Sequence, residues 1–297
     1  MRIHHLNCMT MCPRGGHLMD GRTPSLRAGT LVCHCLLIET EQGLVLVDTG
    51  FGTEDVRSPE RLSGFFRTLL RPKLDPDETA VRQVARLGFS PSDVRHIVLT
   101  HLDFDHAGGL DDFPNARVHL YGPEHDVARL QRTPLDRRRY RPSQWGSEAR
   151  WTSYSVHGEP WFGFDAVREM EGLPPEILLI PLRGHTEGHC GVAVETDWGW
   201  LLHAGDAYFY REEMNPVNPR CTPGLKLYQK MMEVDAPARR LNQQRLRDLA
   251  NVQAGKVRLF SAHDPVEFEQ MRAFSAPSGR PQPTHFMAED HHPSHPG

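Results

Sequence analysis

Short apolar runs, each closed by a polar or glycine-bearing turn, recur along this chain and set its expected secondary structure. Residues 1–6 and 31–39 read as strands on either side of a Gly-, Pro- and Arg-rich loop, and Gln42-Gly43 then turns into a third strand, Leu44 to Val47. The pattern next changes period. Asp75-Pro76-Asp77-Glu78 has the chemistry of a helix start, and Ala80, Val81, Val84 and Leu87 follow at helical spacing before Gly88. Strands are expected at His96–Leu99, Ala116–Leu120, Glu176–Ile180, Cys190–Glu195, Trp200–His203 and Val257–Phe260. Helices are expected over 122–131, over 235–252 and onward from Asp264. Strands alternating with helices indicate an α/β architecture.

Two stretches break the rhythm. Residues 132–163 hold Arg137-Arg138-Arg139, three tryptophans and little periodicity, and read as an insertion that lines a pocket. Residues 275–297, rich in Pro and His, read as a disordered tail, leaving 1–274 as a single domain.

The residues just past the strands carry the candidate chemistry. His101, His189, Asp206 and His263 each stand just beyond a short apolar run, and such strand ends collect on one edge of a sheet, where α/β proteins place their sites. Thr100-His101-Leu102-Asp103-Phe104-Asp105-His106-Ala107-Gly108-Gly109 is the densest, with two histidines and two carboxylates within six residues. These are ligand chemistries for a cation. Asp48, ending the third strand in Asp48-Thr49-Gly50, is either a group that orients a ligand or a turn residue.

Composition narrows the partners. The 297 residues carry a formal charge of −4, which gives no electrostatic reason to expect nucleic acid, so a small-molecule substrate is expected. No stretch approaches the ~18–20 apolar residues of a membrane span, and the first residues lack a secretory pattern, so a cytoplasmic protein is expected, with a homodimer left open. Six cysteines without a C-x-x-C framework read as reduced thiols; Cys33 and Cys35 point to one sheet face, where core packing is the expected role.

The motifs together resemble the metallo-β-lactamase superfamily. His101-x-Asp103-x-Asp105-His106, the Gly184-His185-Thr186-Glu187-Gly188-His189 segment, Gly205-Asp206, Ala262-His263 and Asp48-Thr49-Gly50 stand in that family's order, over about residues 31–265. The resemblance implies a four-layer αββα sandwich with a dinuclear metal site at the edge of its two sheets. It implies that His101, Asp103 and His189 hold one ion, that Asp105, His106 and His263 hold the other, and that Asp206 bridges both. His185 is not implied as a ligand. Two divalent ions are expected, with zinc first and iron or manganese as alternatives. Asp103 departs from the family, which most often has histidine there, and the added carboxylate hardens the ligand set.

The implied chemistry is hydrolysis by a metal-bridging hydroxide, with Asp105 orienting the nucleophile or moving a proton. Within the superfamily the chain is most similar to acyl-homoserine lactonases, so a lactone or other acyl ester is the expected substrate. Those lactonases commonly carry a tyrosine three residues after the bridging aspartate; here Phe209 stands there, flanked by Tyr208 and Tyr210, either of which is a candidate to supply the hydroxyl. Phosphodiester, thioester and β-lactam hydrolysis are alternatives on the same fold, and a non-catalytic metal-binding sensor is the most distant one.

Overall fold

The computed structural model describes residues 1–145, 150–167 and 169–276 and shows two stacked β-sheets. The first sheet runs in chain order from β1 (Arg2–Met11) through β2 (Leu31–Thr40), β3 (Gly43–Val47), β4 (Val94–Val98) and β5 (Arg117–Tyr121) to β6 (Trp151–Tyr154). The second contains β7 (Ile177–Pro181), β8 (Cys190–Thr196), β9 (Gly199–His203) and β10 (Val257–Phe260), with β10 on the edge beside β9. Strands β1 to β3 and β7 to β9 are antiparallel meanders, whereas β3 to β6 and the β9–β10 pair are parallel.

The connections carry helices α1 (His17–Asp20), α2 (Thr53–Arg57), α3 (Gly64–Leu70), α4 (Ala80–Arg86), α5 (Gly122–Leu130), α6 (Pro134–Arg139), α7 (Pro223–Met232), α8 (Ala236–Val252) and α9 (Pro265–Phe274). Parallel neighbours require crossovers, and α4 and α8 supply two of them.

Alternation along β3 explains the layering. Val45 and Val47 join Leu36, Ile38, Val192 and Leu201 between the sheets, while Leu44 and Leu46 pack with Ala80, Val84 and Ala128 under α4 and α5. A strand buried on both faces is apolar throughout, which is why β3 reads as an unbroken run. The outer face of the second sheet packs Leu178, Ile180 and Leu202 against Leu246 and Leu249 of α8. These layers form the αββα sandwich.

Three expectations change. Strand β1 continues to Met11 instead of stopping near residue 6, because a register shift between Asn7 and Thr10, with Met9 at φ 144°, interrupts the alternation the pattern relies on. The segment 132–163 is not one irregular wall: it contributes α6 and the edge strand β6. Helices α1, α2, α3 and α7 were not anticipated. Residues 146–149 of that segment, and all of the 275–297 tail except Ser275 and Ala276, lie outside the described residues. No described helix is long and apolar enough to cross a membrane.

Candidate metal centre

The site is assembled from strand ends. The loop after β4 brings His101 to His106, β8 begins just after His189, and Asp206 and His263 come just after β9 and β10. Glu124 of α5 ties two of these loops together by accepting from the backbone N–H of Leu102 (2.9 Å) and Gly188 (3.2 Å) and from the Thr186 hydroxyl (2.6 Å).

Asp48, at the end of β3, organises the first loop. It is buried, its backbone sits at φ 56°, and its carboxylate accepts from Thr100 N (2.8 Å), Thr100 Oγ1 (2.7 Å) and His106 Nδ1 (2.8 Å). It is therefore an orienting group, and the left-handed backbone marks a locally constrained position.

These bonds decide the tautomers. Because the Thr100 hydroxyl donates to Asp48, it accepts from His101 Nδ1 at 3.0 Å. His106 Nδ1 donates to Asp48, and His263 Nδ1 donates to the Val32 carbonyl at 2.7 Å. All three histidines then present an Nε2 lone pair inward. The Nε2 atoms of His106 and His263 lie 3.3 and 3.1 Å from Asp206 Oδ1, and His263 Nε2 lies 3.7 Å from Asp105 Oδ2.

The Nε2 atoms of His101 and His106 and Oδ1 of Asp206 are buried with no hydrogen-bond partner among the described residues. Convergent, buried, unpartnered lone pairs beside carboxylates fit a divalent cation. His106, Asp206 and His263 have ligand atoms within 4.8 Å of one another, and Asp105 stands beside them. Electrostatics agree: burial opposes charge on His106, yet Asp206, Asp48 and Asp105 outweigh it and raise the imidazole well above its usual range. Positive charge is favoured at this point.

The other half of the expected ligand set behaves differently. His189 Nδ1 donates to the Leu182 carbonyl (3.0 Å), and its Nε2 accepts from the backbone N–H of Asp206 (2.8 Å), so neither ring nitrogen is left over. Gly205 permits this approach: it sits at φ 55°, and a Cβ there would lie 2.6 Å from His189 Nε2. Asp103 has both carboxylate oxygens on Arg139, with Nε 2.8 Å from Oδ1 and Nη2 2.9 Å from Oδ2. His185, not implied as a ligand, instead enters the cluster, 3.0 Å from Asp103 Oδ2 and 3.3 Å from Asp206 Oδ2.

Neither candidate tyrosine is brought to the cluster. The Tyr208 hydroxyl donates to Glu267 of α9 at 2.9 Å, and Tyr210 packs beneath Arg211, whose Nη2 donates to its hydroxyl at 3.4 Å. Phe209 lies between them and stacks on His263, its centroid 5.2 Å away. Tyr228 of α7 packs behind Phe209, its ring meeting that of Phe209 edge to face at 5.4 Å. Burial, then Asp105, Asp103 and Asp206, pushes the Tyr228 phenol well above its ordinary range, so it remains a donor. Cys33 also lies close, its thiol within 4.8 Å of ligand atoms of Asp105 and His263.

Arg139 and Tyr228 were the residues the sequence reading missed. Both had a signal. Thr133-Pro134-Leu135-Asp136 is a capping box that starts α6, and Asp136, Arg139 and Tyr140 are buried at i, i+3, i+4 spacing. Leu225, Tyr228, Gln229 and Met232 show the same spacing along α7.

A sandwich of this layering, with histidines and carboxylates converging at the strand ends, defines a metal-dependent hydrolase. Residues 28–253 match the Metallo-beta-lactamase superfamily, and the chain belongs to it. A protein of Mycobacterium tuberculosis named a probable metallo-hydrolase is 39% identical over 272 residues, covering 92% of this chain and 83% of that protein. An N-acyl homoserine lactonase of Bacillus thuringiensis is 28% identical over 187 residues, covering 62% of this chain and 67% of its own. Among solved structures, an N-acyl homoserine lactone hydrolase with the product N-hexanoyl-L-homoserine at its catalytic metal centre superposes with a TM-score of 0.64 at 21% identity, over 91% of this chain and 95% of that one.

Proposed function

We propose that this metallo-hydrolase opens lactones or closely related acyl esters of small molecules, using a divalent ion, zinc first, held by Asp105, His106, Asp206 and His263. The observation that carries the reading is the convergence of His106 Nε2 and His263 Nε2 on Asp206 Oδ1, with His106 Nε2 and Asp206 Oδ1 left without a hydrogen-bond partner among the described residues. When bound, such an ion lowers the pKa of water from ~15.7 towards ~7 and polarises an acyl oxygen.

The chain's own residues do the rest. Asp48 and the Val32 carbonyl fix the orientation of His106 and His263. Asp105 is placed to orient the attacking water and to carry its proton towards the leaving oxygen. Tyr228, protonated and packed on Phe209, is the candidate donor to the developing oxyanion, the role for which Phe209 has no group. Behind Phe209, which stacks on His263, the buried side chains of Met9, Met11, Phe66, Phe104 and Met232 form the apolar backing of this end of the fold.

The deciding experiment is a hydrolysis panel on purified, zinc-loaded protein: acyl-homoserine lactones of several chain lengths, simple γ- and δ-lactones, a thioester, a β-lactam and a phosphodiester. Lactone opening, tracked by acid release, is the expected result. Phosphodiester or β-lactam turnover with every lactone left intact would overturn the substrate assignment.

A further inference from the structure

We infer that the guanidinium of Arg139 stands in for a cation at the first metal position, so that this chain holds one resident divalent ion, on Asp105, His106, Asp206 and His263, in place of two. The inference rests on the metallo-hydrolase reading and deepens it.

Arg139 comes from α6, in a segment remote from the ligand motifs, and is completely buried. Its terminal nitrogens carry the hydrogen bonds. Nη1 donates to the carbonyls of His185 (3.1 Å) and Met232 (3.2 Å), Nη2 donates to Asp103 Oδ2 (2.9 Å) and lies 3.0 Å from His185 Nε2, and Nε stands 2.8 Å from Asp103 Oδ1 as an ion pair without a hydrogen bond. A buried guanidinium persists only with such compensation. The side chain is also held from behind: Thr133 and Asp136 cap α6, and Tyr140, next in the chain, forms a backbone bridge to Asp103.

At the first position His101 Nε2 has no hydrogen-bond partner among the described residues, but the other groups expected there are engaged. Asp103 faces the guanidinium with both oxygens, and both nitrogens of His189 are hydrogen-bonded. His101, His185 and Asp206 do lie within 4.8 Å of one another, but His185 Nε2 faces the Nη2 N–H, so a dication there would sit directly against a fixed positive charge. The Asp103 carboxylate and the buried Arg139 guanidinium therefore answer each other's charge. A carboxylate attracts a permanent organic cation into a place where an imidazole would leave room for a metal.

The test is metal counting. Apo protein titrated with Co²⁺ and monitored by its visible spectrum, together with elemental analysis of zinc-loaded protein after desalting, should reach one ion per chain. Arg139→Met, which keeps the length and removes the charge, should move the endpoint towards two by freeing Asp103. Two ions per wild-type chain, or an anomalous scattering peak beside Asp103 in crystals of the wild type, would overturn the inference. So would a well-folded R139M that still binds one. No ion in the wild type would instead overturn the metallo-hydrolase reading beneath it. The wild-type titration decides even if R139M does not fold.

Discussion

Replacing Asp48 separates orientation of the site from coordination, because Asp48 touches three donors and is not itself a candidate ligand. In Asp48→Ala the Thr100 amide, the Thr100 hydroxyl and His106 Nδ1 all lose their acceptor while buried. At ~1–3 kcal/mol for each of the three unsatisfied buried donors, the loss is about 3–9 kcal/mol, enough to unfold a marginal domain. Asp48→Asn is the more informative change. Asparagine tolerates the φ of 56°, and its amide oxygen still accepts from Thr100. Its NH₂ group then faces His106 Nδ1, which must become an acceptor and shift its proton to Nε2, so the inward lone pair is lost. The expected cost is about 1–3 kcal/mol in stability and a roughly 10- to 100-fold weaker hold on the metal. Urea unfolding monitored by tryptophan fluorescence measures the first, and competition with a chromophoric zinc chelator measures the second. Wild-type zinc affinity in a folded D48N would refute the tautomer argument at its root.

Two further changes probe residues outside the ligand motifs. Tyr228→Phe should lower kcat by ~10²–10³ if its hydroxyl serves the developing oxyanion, with zinc content and KM close to wild type; steady-state kinetics on the best lactone, with elemental analysis, checks this, and unchanged kcat removes Tyr228 from the mechanism. Glu267 is raised to about 8, first by burial and then by Asp264. Its folded value lies above its unfolded one, so its contribution is fully present below the unfolded pKa of ~4.3 and is lost as pH rises through about 8. Glu267→Gln, which keeps a partner for Tyr208, should flatten the decline in urea stability between about pH 5 and pH 8, and an unaltered slope would show that another group sets it.

The sheets were legible because strands buried on both faces, such as β3 and β8, leave continuous apolar runs, and because chemistry placed after each run survives as a local motif. His106, Asp206 and His263 fell together in space for that reason. The helices α3 and α7 were not legible in the same way. Each buries only a narrow stripe, Phe66 and Leu70 in one and Leu225, Tyr228, Gln229 and Met232 in the other, and the polar residues between dilute the period. The expectation that Tyr208 or Tyr210 would face the centre failed to anticipate that the chain leaves the strand before these residues. In the turn after Asp206, Phe209 packs on His263, while Tyr208 turns to α9.

Arg139 shows a different limit. In a run of three arginines, local sequence cannot say which one is buried, since the answer depends on a partner 36 residues away. A solvated face is the ordinary meaning of such a run, and Arg137 and Arg138 have it. Asp103 carried the missing half of the information, because a carboxylate replacing a neutral ligand adds a negative charge that burial makes costly unless a cation answers it. That cation can be a metal or a side chain, and the two make opposite demands on the neighbours. A metal needs free lone pairs from His185 and His189, whereas a guanidinium needs carbonyls and leaves His189 available to the Asp206 backbone. The second arrangement is the one in which these side chains stand.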